Sequence, residues 1–390
     1  MPMRSNPARL RVAVVTDGVS HFEAPLFRLL AGHESCTLKL FMLRHPDQNK
    51  VFDPSYGTSV WWGEDVLSGF ESEHCPRTER MWDAVRAWQP DVVLQYGYGW
   101  SGALRMLWHA RQARVPVVFR GTITHVRDPR SGWKGRVTRI ARIPILRAFN
   151  AWQYGGNYSL RALRSAGIPE SKCYRVPYSV NSAVFVSESD RLVGEGLVTA
   201  EREHLNLPQD AFVILFIGQL DWVKGPDLGV EVFRGFHARH RNSYMIFVGS
   251  GPEFEATKAL AVRYGLGDAI RFVGFQPSRM TVRFYTASNV VIFPSRYETW
   301  ARSVNEAMLC KRPCLVNRSM AVADDLVVEG ETGKVLSGPH PGSYVTALLD
   351  LLDPIVCQRL GESARRRALE FSYESSLEEA VNCLRETANA

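Results

Sequence analysis

Short apolar runs alternate with amphipathic stretches along the whole chain. The first half contains four such runs, at residues 10–16, 37–42, 91–94 and 115–119. The second half contains five more, at 212–217, 244–248, 270–272, 290–293 and 314–316. Their length and composition are typical of parallel strands that are buried on both faces. The stretches between them, such as 227–240 and 253–264, have apolar residues at helical spacing.

This alternation of strands and helices predicts an α/β fold. Doubly wound α/β domains consist of a parallel sheet with helices on both faces. The chain has 390 residues, about twice the usual domain size, so we expect two domains with separate cores. The predicted architecture is two Rossmann-like doubly wound domains that face each other across a cleft at the carboxyl ends of their strands.

A change in composition predicts the domain boundaries. Residues 185–210 are polar, rich in acidic side chains and poor in large apolar ones. We therefore predict a first domain at 1–190, a linker at 191–210 and a second domain at 211–365. Charged helical patterns fill the end of the chain, and residues 366–390 are predicted to form a C-terminal helix.

Composition narrows the class of protein. Hydrophobic residues make up 45% of the chain and charged residues 22%, as in ordinary globular proteins. No apolar run reaches the eighteen or so residues of a membrane-spanning helix, and the N-terminal segment lacks the apolar stretch of a secretory signal. The seven cysteines are scattered, and Cys310 and Cys314 lack a second Cys/His pair. We therefore expect reduced thiols, no metal site and a cytoplasmic location.

Positive charge is concentrated before the middle of the chain. The net charge is +7, and residues 114–175 hold thirteen Lys or Arg against two acidic residues. Within them, 132–152 interleaves Arg with Trp, Ile, Leu and Phe, as helices on a membrane surface do. Two interpretations stay open: a solvated helix face, or peripheral contact with an anionic membrane at its inner face or with a lipid-diphosphate acceptor. Nucleic acid is not expected, because no recognisable binding motif accompanies the charge.

The stretch 290–315 holds the candidate chemistry. An apolar strand ends at Pro294, a loop carries Glu298, and Ser303 with Glu306 has the spacing of a capping box that starts a helix near Ser303. A helix start presents free N–H groups and a partial positive charge, which suit a diphosphate. The two glutamates are eight positions apart, at most about 12 Å along a helix. They could contact the sugar and the ribose of one donor, or act only as a solvated acid and a cap.

Three glycine-containing turns precede this stretch in order. Each glycine follows a predicted strand, where the backbone must turn sharply or approach a ligand. The turns are Gly218-Gln219-Leu220 with Lys224-Gly225, then Gly249-Ser250-Gly251-Pro252-Glu253, then Val273-Gly274-Phe275.

In combination, these motifs resemble the donor domain of the family-4 retaining glycosyltransferases of the GT-B fold. The resemblance covers about residues 211–336, and the first half is more loosely similar to the family's acceptor domain, at 16–18, at 119–121 with His125, and at 175–180. It implies retaining transfer of a sugar from a nucleotide diphosphate sugar to a glycan, lipid-linked or small-molecule acceptor. It also implies that no metal or other cofactor is required and that 366–390 returns to the first domain.

The resemblance also implies roles for single residues. Lys224 would neutralise the donor diphosphate, Glu298 would hold the transferred sugar, and Glu306 would accept from the ribose. His125, alternatively a structural histidine, would contact the donor sugar, so His125 and Glu298 are the catalytic candidates. The other donor-binding candidates are Gly18, Gly218, Gln219, Gly249, Phe275, Arg302, Ser303 and Val304. The acceptor-side candidates are Trp61, Trp62 and Arg120, where the two Trp rings suit a sugar face or, equally, domain packing.

Two departures from the family pattern keep alternatives open. Gln219 stands where the family usually has Arg or Lys, and Ala301 stands where it usually has Gly. A missing charge about 4 Å from a phosphate removes roughly 4 kcal/mol of direct attraction at an effective dielectric of about 20. Arg302 could supply that charge through its planar fork. The alternatives are a catalytically silent nucleotide-sugar-binding relative and a sugar-nucleotide epimerase of the same fold, against which the Glu298–Glu306 arrangement speaks.

Overall fold

The computed structural model describes residues 9–45, 51–53, 58–60, 65–100, 102–123 and 140–390. The described residues form two compact units. The first contains 9–45, 65–100, 102–123, 140–178 and 373–390, and the second contains 179–372 together with a short antiparallel hairpin at 51–53 and 58–60. Each unit has its own parallel sheet, as the predicted α/β architecture requires.

The first unit is built on seven parallel strands. They are β1 (Leu10–Thr16), β2 (Cys36–Met42), β5 (Glu71–His74), β6 (Val92–Tyr96), β7 (Val117–Arg120), β8 (Ala151–Tyr154) and β9 (Cys173–Arg175). The numbers β3 (Val51–Asp53) and β4 (Thr58–Val60) belong to the hairpin of the second unit. The sheet order is β5-β2-β1-β6-β7-β8-β9. The helices are α1 (Ala24–Gly32), α2 (Thr78–Trp88), α3 (Ala103–Gln112), α4 (Ile143–Arg147) and α5 (Asn157–Ser165).

Alternating residues of β1 explain why helices cover both faces of this sheet. Val12 and Val14 pack into one buried cluster, whereas Ala13 and Val15 pack into another. Successive side chains of a strand point to opposite faces, so an apolar run without alternation needs a core on each side.

The second unit repeats the scheme with six parallel strands. They are β10 (Phe212–Ile217), β11 (Ser243–Val248), β12 (Ile270–Gly274), β13 (Val290–Ile292), β14 (Cys314–Asn317) and β15 (Gly333–Leu336), in the order β12-β11-β10-β13-β14-β15. Its main helices are α6 (Ser182–Gly194), α7 (Leu197–His204), α8 (Pro226–His237), α9 (Phe254–Arg263), α10 (Val282–Ala287), α11 (Arg302–Leu309), α12 (Pro341–Asp350) and α13 (Pro354–Leu369). Every residue of β10, the central strand, is buried.

The boundary between the units differs from the predicted one. The chain leaves the first unit after Tyr178 and returns to it at Tyr373. Residues 191–210 are not a linker, because they contain α7 and the end of α6, which both pack on α10. Arg202 of α7 is buried and donates to the carbonyl oxygens of Ala287 and Gln209. The polar composition of this stretch therefore belongs to the exposed faces of two packed helices.

The last helix of the chain, α14 (Leu377–Ala388), is part of the first unit. It packs on β8 and β9 and on α1. Val381 and Leu384 are buried in the same cluster as β1, and the Tyr174 hydroxyl donates to Glu386 at 2.6 Å. The C-terminal segment thus completes the core of a unit whose other strands and helices come from the beginning of the chain.

The described part of the basic stretch 132–152 does not form one amphipathic surface helix. Its described part begins at 140, and Leu146, Phe149 and Trp152 are buried in the core of the first unit. These apolar residues therefore cannot insert into a membrane as the spacing suggested. Ile140 is the exposed apolar side chain in the described part of this stretch, and α3 exposes two more, Leu104 at 48% and Trp108 at 57%.

The described residues form neither a membrane-spanning helix nor a disulfide bond. Within the part of the chain that the structure describes, no helix is both long and apolar enough to cross a bilayer. All seven cysteines lie among the described residues and are free thiols.

We expect Leu384→Ala to destabilise the first unit by about 2–5 kcal/mol, because it leaves a cavity beneath the sheet. Leu369→Ala is the matched control, since Leu369 is largely exposed at the end of α13, and it should cost less than about 1 kcal/mol. Thermal unfolding of both variants measures the difference. Equal losses would contradict the placement of α14 in the core.

Candidate functional site

Three loops of the second unit are joined to one another by backbone hydrogen bonds. They follow β10, β11 and β12, which are neighbours in the sheet. Gly218 N–H donates to Val248 O at 3.0 Å, and Leu220 N–H donates to Ser250 O at 2.9 Å. Gly249 N–H donates to Gly274 O at 2.8 Å. The carboxyl edge of the sheet is therefore one continuous surface of fixed backbone.

Two glycines of these loops are required by close contacts between neighbouring loop backbones, which the sequence did not reveal. Gly249 has a φ of +135°, and a Cβ there would lie 1.9 Å from the carbonyl oxygen of Gly218. Gly251 has a φ of +155°, and its Cβ would lie 2.4 Å from the carbonyl oxygen of Leu220. These two glycines allow one loop backbone to approach the next, because any side chain would separate them.

Lys224 is held at the start of α8. Its backbone N–H donates to Asp221 Oδ1 at 2.8 Å. Gly225, with a φ of +68°, follows directly, and a Cβ there would lie 2.6 Å from the carbonyl oxygen of Pro294. The Lys224 ammonium forms an ion pair with Glu298, and the two side chains are 26% and 14% exposed.

Glu298 is fixed on both sides rather than lying in a free loop. Its N–H donates to Ser319 O at 3.2 Å, and its carbonyl oxygen accepts from Ala321 N–H at 3.0 Å. The second carboxylate oxygen accepts from Thr299 N–H at 3.1 Å. The interpretation of Glu298 as a solvated loop acid is therefore excluded by its geometry.

Arg296 connects the Lys224 loop to the Glu298 loop, and sequence reasoning missed it. Its guanidinium donates to the carbonyl oxygen of Trp222 at 2.8 Å and to Asp227 Oδ1 at 3.0 Å. The guanidinium carbon also lies 4.9 Å from the centre of the Trp222 ring. Because these contacts span about seventy positions of the chain, no local spacing could have revealed them.

A buried hydrogen-bond network, also missed, supports the end of β13. The Asn317 amide donates to Ser295 O at 2.9 Å and to the Tyr344 hydroxyl at 3.1 Å. The Tyr344 hydroxyl in turn donates to Phe293 O at 2.7 Å. Satisfied buried polar groups of this kind fix a backbone in one conformation.

Glu306 does not act as the predicted cap. The helix α11 begins at Arg302, one residue before the predicted start, and Ala301 occupies the N-cap position. The Glu306 side chain turns inward and is 6% exposed. Its Oε2 accepts from the Tyr285 hydroxyl at 2.7 Å, and its Oε1 accepts from the Ser278 hydroxyl at 3.4 Å. The capping-box interpretation is wrong, because burial beside two hydroxyl groups replaced the local contact.

Burial raises the pKa of Glu306 to about 7. Hydrogen bonds from Tyr285 and Ser278 and the positive charge of Arg302 lower it only in part. The carboxyl group therefore keeps its proton to a higher pH than an exposed glutamate does.

The remaining candidates of the second unit lie around these loops. Gln219 and Phe275 are partly exposed, as are Arg302 and Ser303 at the start of α11. Val304 is fully buried, and its N–H donates to Ala301 O at 2.9 Å. The N–H of Val304 is therefore occupied within the helix. Of the three N–H groups that we expected to face a phosphate, those of Arg302 and Ser303 remain as candidates.

Of the first-unit candidates, Gly18 and Arg120 lie within the described residues. Gly18 follows β1, and its carbonyl oxygen accepts from the Thr16 hydroxyl at 2.8 Å. Arg120 is only 1% exposed and donates to Val176 O at 2.9 Å and Pro177 O at 3.3 Å. This buried position differs from the acceptor-facing one that we expected.

His125, Trp61 and Trp62 lie outside the described residues, so their expected roles stay predictions. Across the residues that are described, no group of three or more His, Cys, Asp or Glu side chains is placed to hold a metal ion.

We expect the wild type to lose stability relative to Glu306→Gln as the pH rises from about 4.5 to 8. A carboxyl group with a raised folded-state pKa binds its proton in the folded chain after the unfolded chain has released it, so stability falls as the pH rises through the folded pKa. The pKa rises by about two and a half units on folding, from 4.5 to about 7, and this rise corresponds to a loss of about 3 kcal/mol in the free energy of unfolding. Denaturation of both proteins at several pH values measures this, and a difference independent of pH would contradict the buried state of Glu306.

The chain is similar to known proteins in sequence over its second half and in fold over nearly its whole length. Residues 198–367 match the family model described as glycosyl transferases group 1. A D-inositol 3-phosphate glycosyltransferase of Acidothermus cellulolyticus is 30% identical over 220 residues, which cover 54% of this chain and 47% of that protein. The chain thus spans about half the length of the curated relatives it matches.

Two solved structures are similar in fold across nearly the whole chain. A glycosyltransferase from Rickettsia africae has a TM-score of 0.75 at 13% identity and covers 97% of this chain and 99% of its own. Anabaena HepE in complex with UDP and glucose has a TM-score of 0.73 at 14% identity, with coverage of 97% and 100%. Residues 198–367 are therefore similar to the glycosyl transferases group 1, and the two Rossmann-like units of the chain have the GT-B fold.

Proposed function

We propose that the protein is a retaining glycosyltransferase whose second unit binds a nucleotide diphosphate sugar. The observation that carries the proposal is the meeting of Lys224 with Glu298, which are 74 positions apart. The match of residues 198–367 to the glycosyl transferases group 1 supports it independently.

The geometry supports a separate role for each charged group. Lys224 neutralises the diphosphate, whose negative charge grows as the glycosidic bond breaks. Glu298 accepts hydrogen bonds from hydroxyl groups of the transferred sugar, and Glu306 accepts from the ribose. The N–H groups of Arg302 and Ser303 at the start of α11 face the phosphates. Gln219, Gly218, Gly249 and Phe275 complete the donor surface.

Candidates from the N-terminal half of the chain enter the proposal on the family resemblance alone. On this resemblance, Gly18 lets its loop approach the phosphates, and His125 contacts the donor sugar. Trp61 and Trp62 bind an acceptor sugar through their rings. Arg120 has no direct part in this proposal, because its guanidinium is bound to backbone carbonyl groups.

Arg302 compensates for the neutral Gln219 in this proposal. Arg302 is close enough to the site for its charge to lower the pKa of Glu306. The guanidinium of Arg296, beside the Lys224 loop, is bound to Asp227 and to the Trp222 carbonyl oxygen. A silent nucleotide-sugar-binding relative is the second candidate function, and the neutral Gln219 is the observation that favours it.

UDP sugars are the first donors to test, because one structural neighbour is in complex with UDP and glucose. The acceptor is a glycan, a lipid-linked sugar or a small molecule. Inositol 3-phosphate, which the names of several relatives contain, is a first small-molecule acceptor to test. The transfer retains the anomeric configuration and requires no metal.

We further propose peripheral contact with an anionic membrane, now through α3. The exposed Leu104 and Trp108 are one helical turn apart, and Arg105 and Arg111 lie on the same helix, which has no acidic residue. Arg111 donates to Ala148 O at 2.6 Å, which joins α3 to the end of α4. Exposed Trp and Leu beside Arg are the composition of an interfacial surface.

We expect one class of nucleotide sugar to raise the unfolding temperature in a screen of UDP, GDP, ADP and dTDP sugars. Ligand at one hundred times its dissociation constant adds about 2.7 kcal/mol of stability. Lys224→Ala should reduce the shift strongly and Arg302→Ala should reduce it less, whereas Lys258→Ala, at an exposed position on α9, should leave it unchanged.

No shift with any nucleotide sugar would refute donor binding. A full shift in Arg302→Ala would refute the compensation for Gln219. Donor binding without hydrolysis or transfer would select the silent relative.

We expect the wild type to float with vesicles of phosphatidylglycerol and phosphatidylcholine but not with phosphatidylcholine alone. Leu104→Ser with Trp108→Ser should reduce the bound fraction several-fold, because the inserted apolar area is lost. Val262→Ser with Ile355→Ser is the matched control, since both side chains are exposed in the second unit. Equal binding of all three proteins would rule out α3 as the contact surface.

A further inference from the structure

The ion pair between Lys224 and Glu298 joins two groups that the proposed donor would use separately. A diphosphate that approaches the Lys224 ammonium must compete with the Glu298 carboxylate, which already neutralises it. Whatever enters the site must therefore replace one or both partners of the pair.

Glu298 is the immobile partner. Its backbone is bound on both sides, to Ser319 O and by Ala321 N–H, and one carboxylate oxygen accepts from Thr299 N–H. The side chain is 14% exposed, so it cannot turn into solvent to release the ammonium.

Lys224 is the mobile partner. Its backbone is fixed by the contact with Asp221, but its ammonium is carried on a flexible four-carbon stem. The stem runs beside Gly218, where a Cβ would meet Lys224 Cε at 4.0 Å. The ammonium can therefore leave Glu298 while the rest of the site stays unchanged.

We propose that Glu298 is a specificity-determining residue that favours the sugar nucleotide over the free nucleoside diphosphate. This inference rests on the proposed function and adds to it the selection between two related ligands. In a sugar nucleotide, the terminal phosphate is esterified, and sugar hydroxyl groups donate to Glu298 when Lys224 moves to the diphosphate. Both partners of the ion pair are then replaced.

A free nucleoside diphosphate lacks those hydroxyl groups. Its terminal phosphate carries up to two negative charges near neutral pH, and it takes Lys224 from Glu298 without offering a donor in return. A carboxylate of low exposure would then lose its cation beside another anion, which is unfavourable. Attraction of one ligand and repulsion of the other both increase selectivity.

The weaker binding of the free nucleoside diphosphate also helps the product to leave after each transfer. After transfer, the product in the site is the free diphosphate, and the return of Lys224 to Glu298 promotes its release. The loops need not open for this step, because only the Lys224 stem moves.

The test compares the dissociation constants of UDP and UDP-glucose for the wild type and for Glu298→Gln, by calorimetry. The Gln side chain keeps the shape but not the charge. We expect UDP to bind Glu298→Gln about tenfold or more tightly than the wild type, and UDP-glucose to bind it no more tightly. The selectivity of the wild type for the sugar nucleotide should therefore be lost.

Asp227→Asn is the matched control. It removes one negative charge from the first turn of α8, next to the Lys224 loop, by breaking the ion pair with Arg296, and it changes neither Lys224 nor Glu298. It should change the affinities for both ligands by a similar factor. An equal loss of selectivity in Asp227→Asn would overturn the inference, because general charge would then explain it.

A second comparison places Glu298→Gln in a Lys224→Met background. The gain in UDP affinity should disappear there, because it depends on the released ammonium. An undiminished gain would overturn the role of Lys224, and an unchanged UDP affinity in Glu298→Gln alone would overturn that of Glu298. If the wild type binds no nucleotide at all, the proposed function itself fails, and this outcome is distinct from the other two.

Discussion

The parallel pairing of β10 with β13 is the constraint on which the site depends. Ile214 is paired with Val290 and Leu215 with Val291, although the strands are more than seventy positions apart. Parallel neighbours end at the same edge of a sheet, so the loops that follow them must meet. The meeting of Lys224 and Glu298 is the chemical consequence of this pairing.

Rigid backbone surrounds that meeting point. The loops after β10, β11 and β12 are hydrogen-bonded to one another, and Gly249 and Gly251 allow their close approach. On the other side, Arg296 and the Asn317–Tyr344 network hold the end of β13. A site on fixed backbone loses little conformational entropy on binding, so mobility is confined to long side chains such as Lys224.

The predicted part of the fold and the missed part have different physical origins. All nine apolar runs became strands, because burial on both faces requires such runs. The edge strand β5, with the sequence ESEH, lacks an apolar signal and was not predicted. The order of glycine turns predicted the loops that the structure joins by backbone hydrogen bonds, but Arg296 and Asn317 act through partners far away in the chain. The linker at 191–210 was misassigned because exposed helix faces and true linkers have similar composition.

The two glutamates show most clearly where sequence reasoning ends. Both are Glu in one short stretch, yet Glu298 is beside a cation and Glu306 is buried among hydroxyl groups with a pKa of about 7. A Ser-x-x-Glu spacing fits a helix whose Glu caps and equally one whose Glu packs inward. The inward orientation of Glu306 is stabilised by the Tyr285 hydroxyl, which reaches Glu306 only after α10 packs against the rest of the unit. The surroundings, not the residue type, therefore make Glu298 the partner of an ion pair and Glu306 a buried hydrogen-bond acceptor.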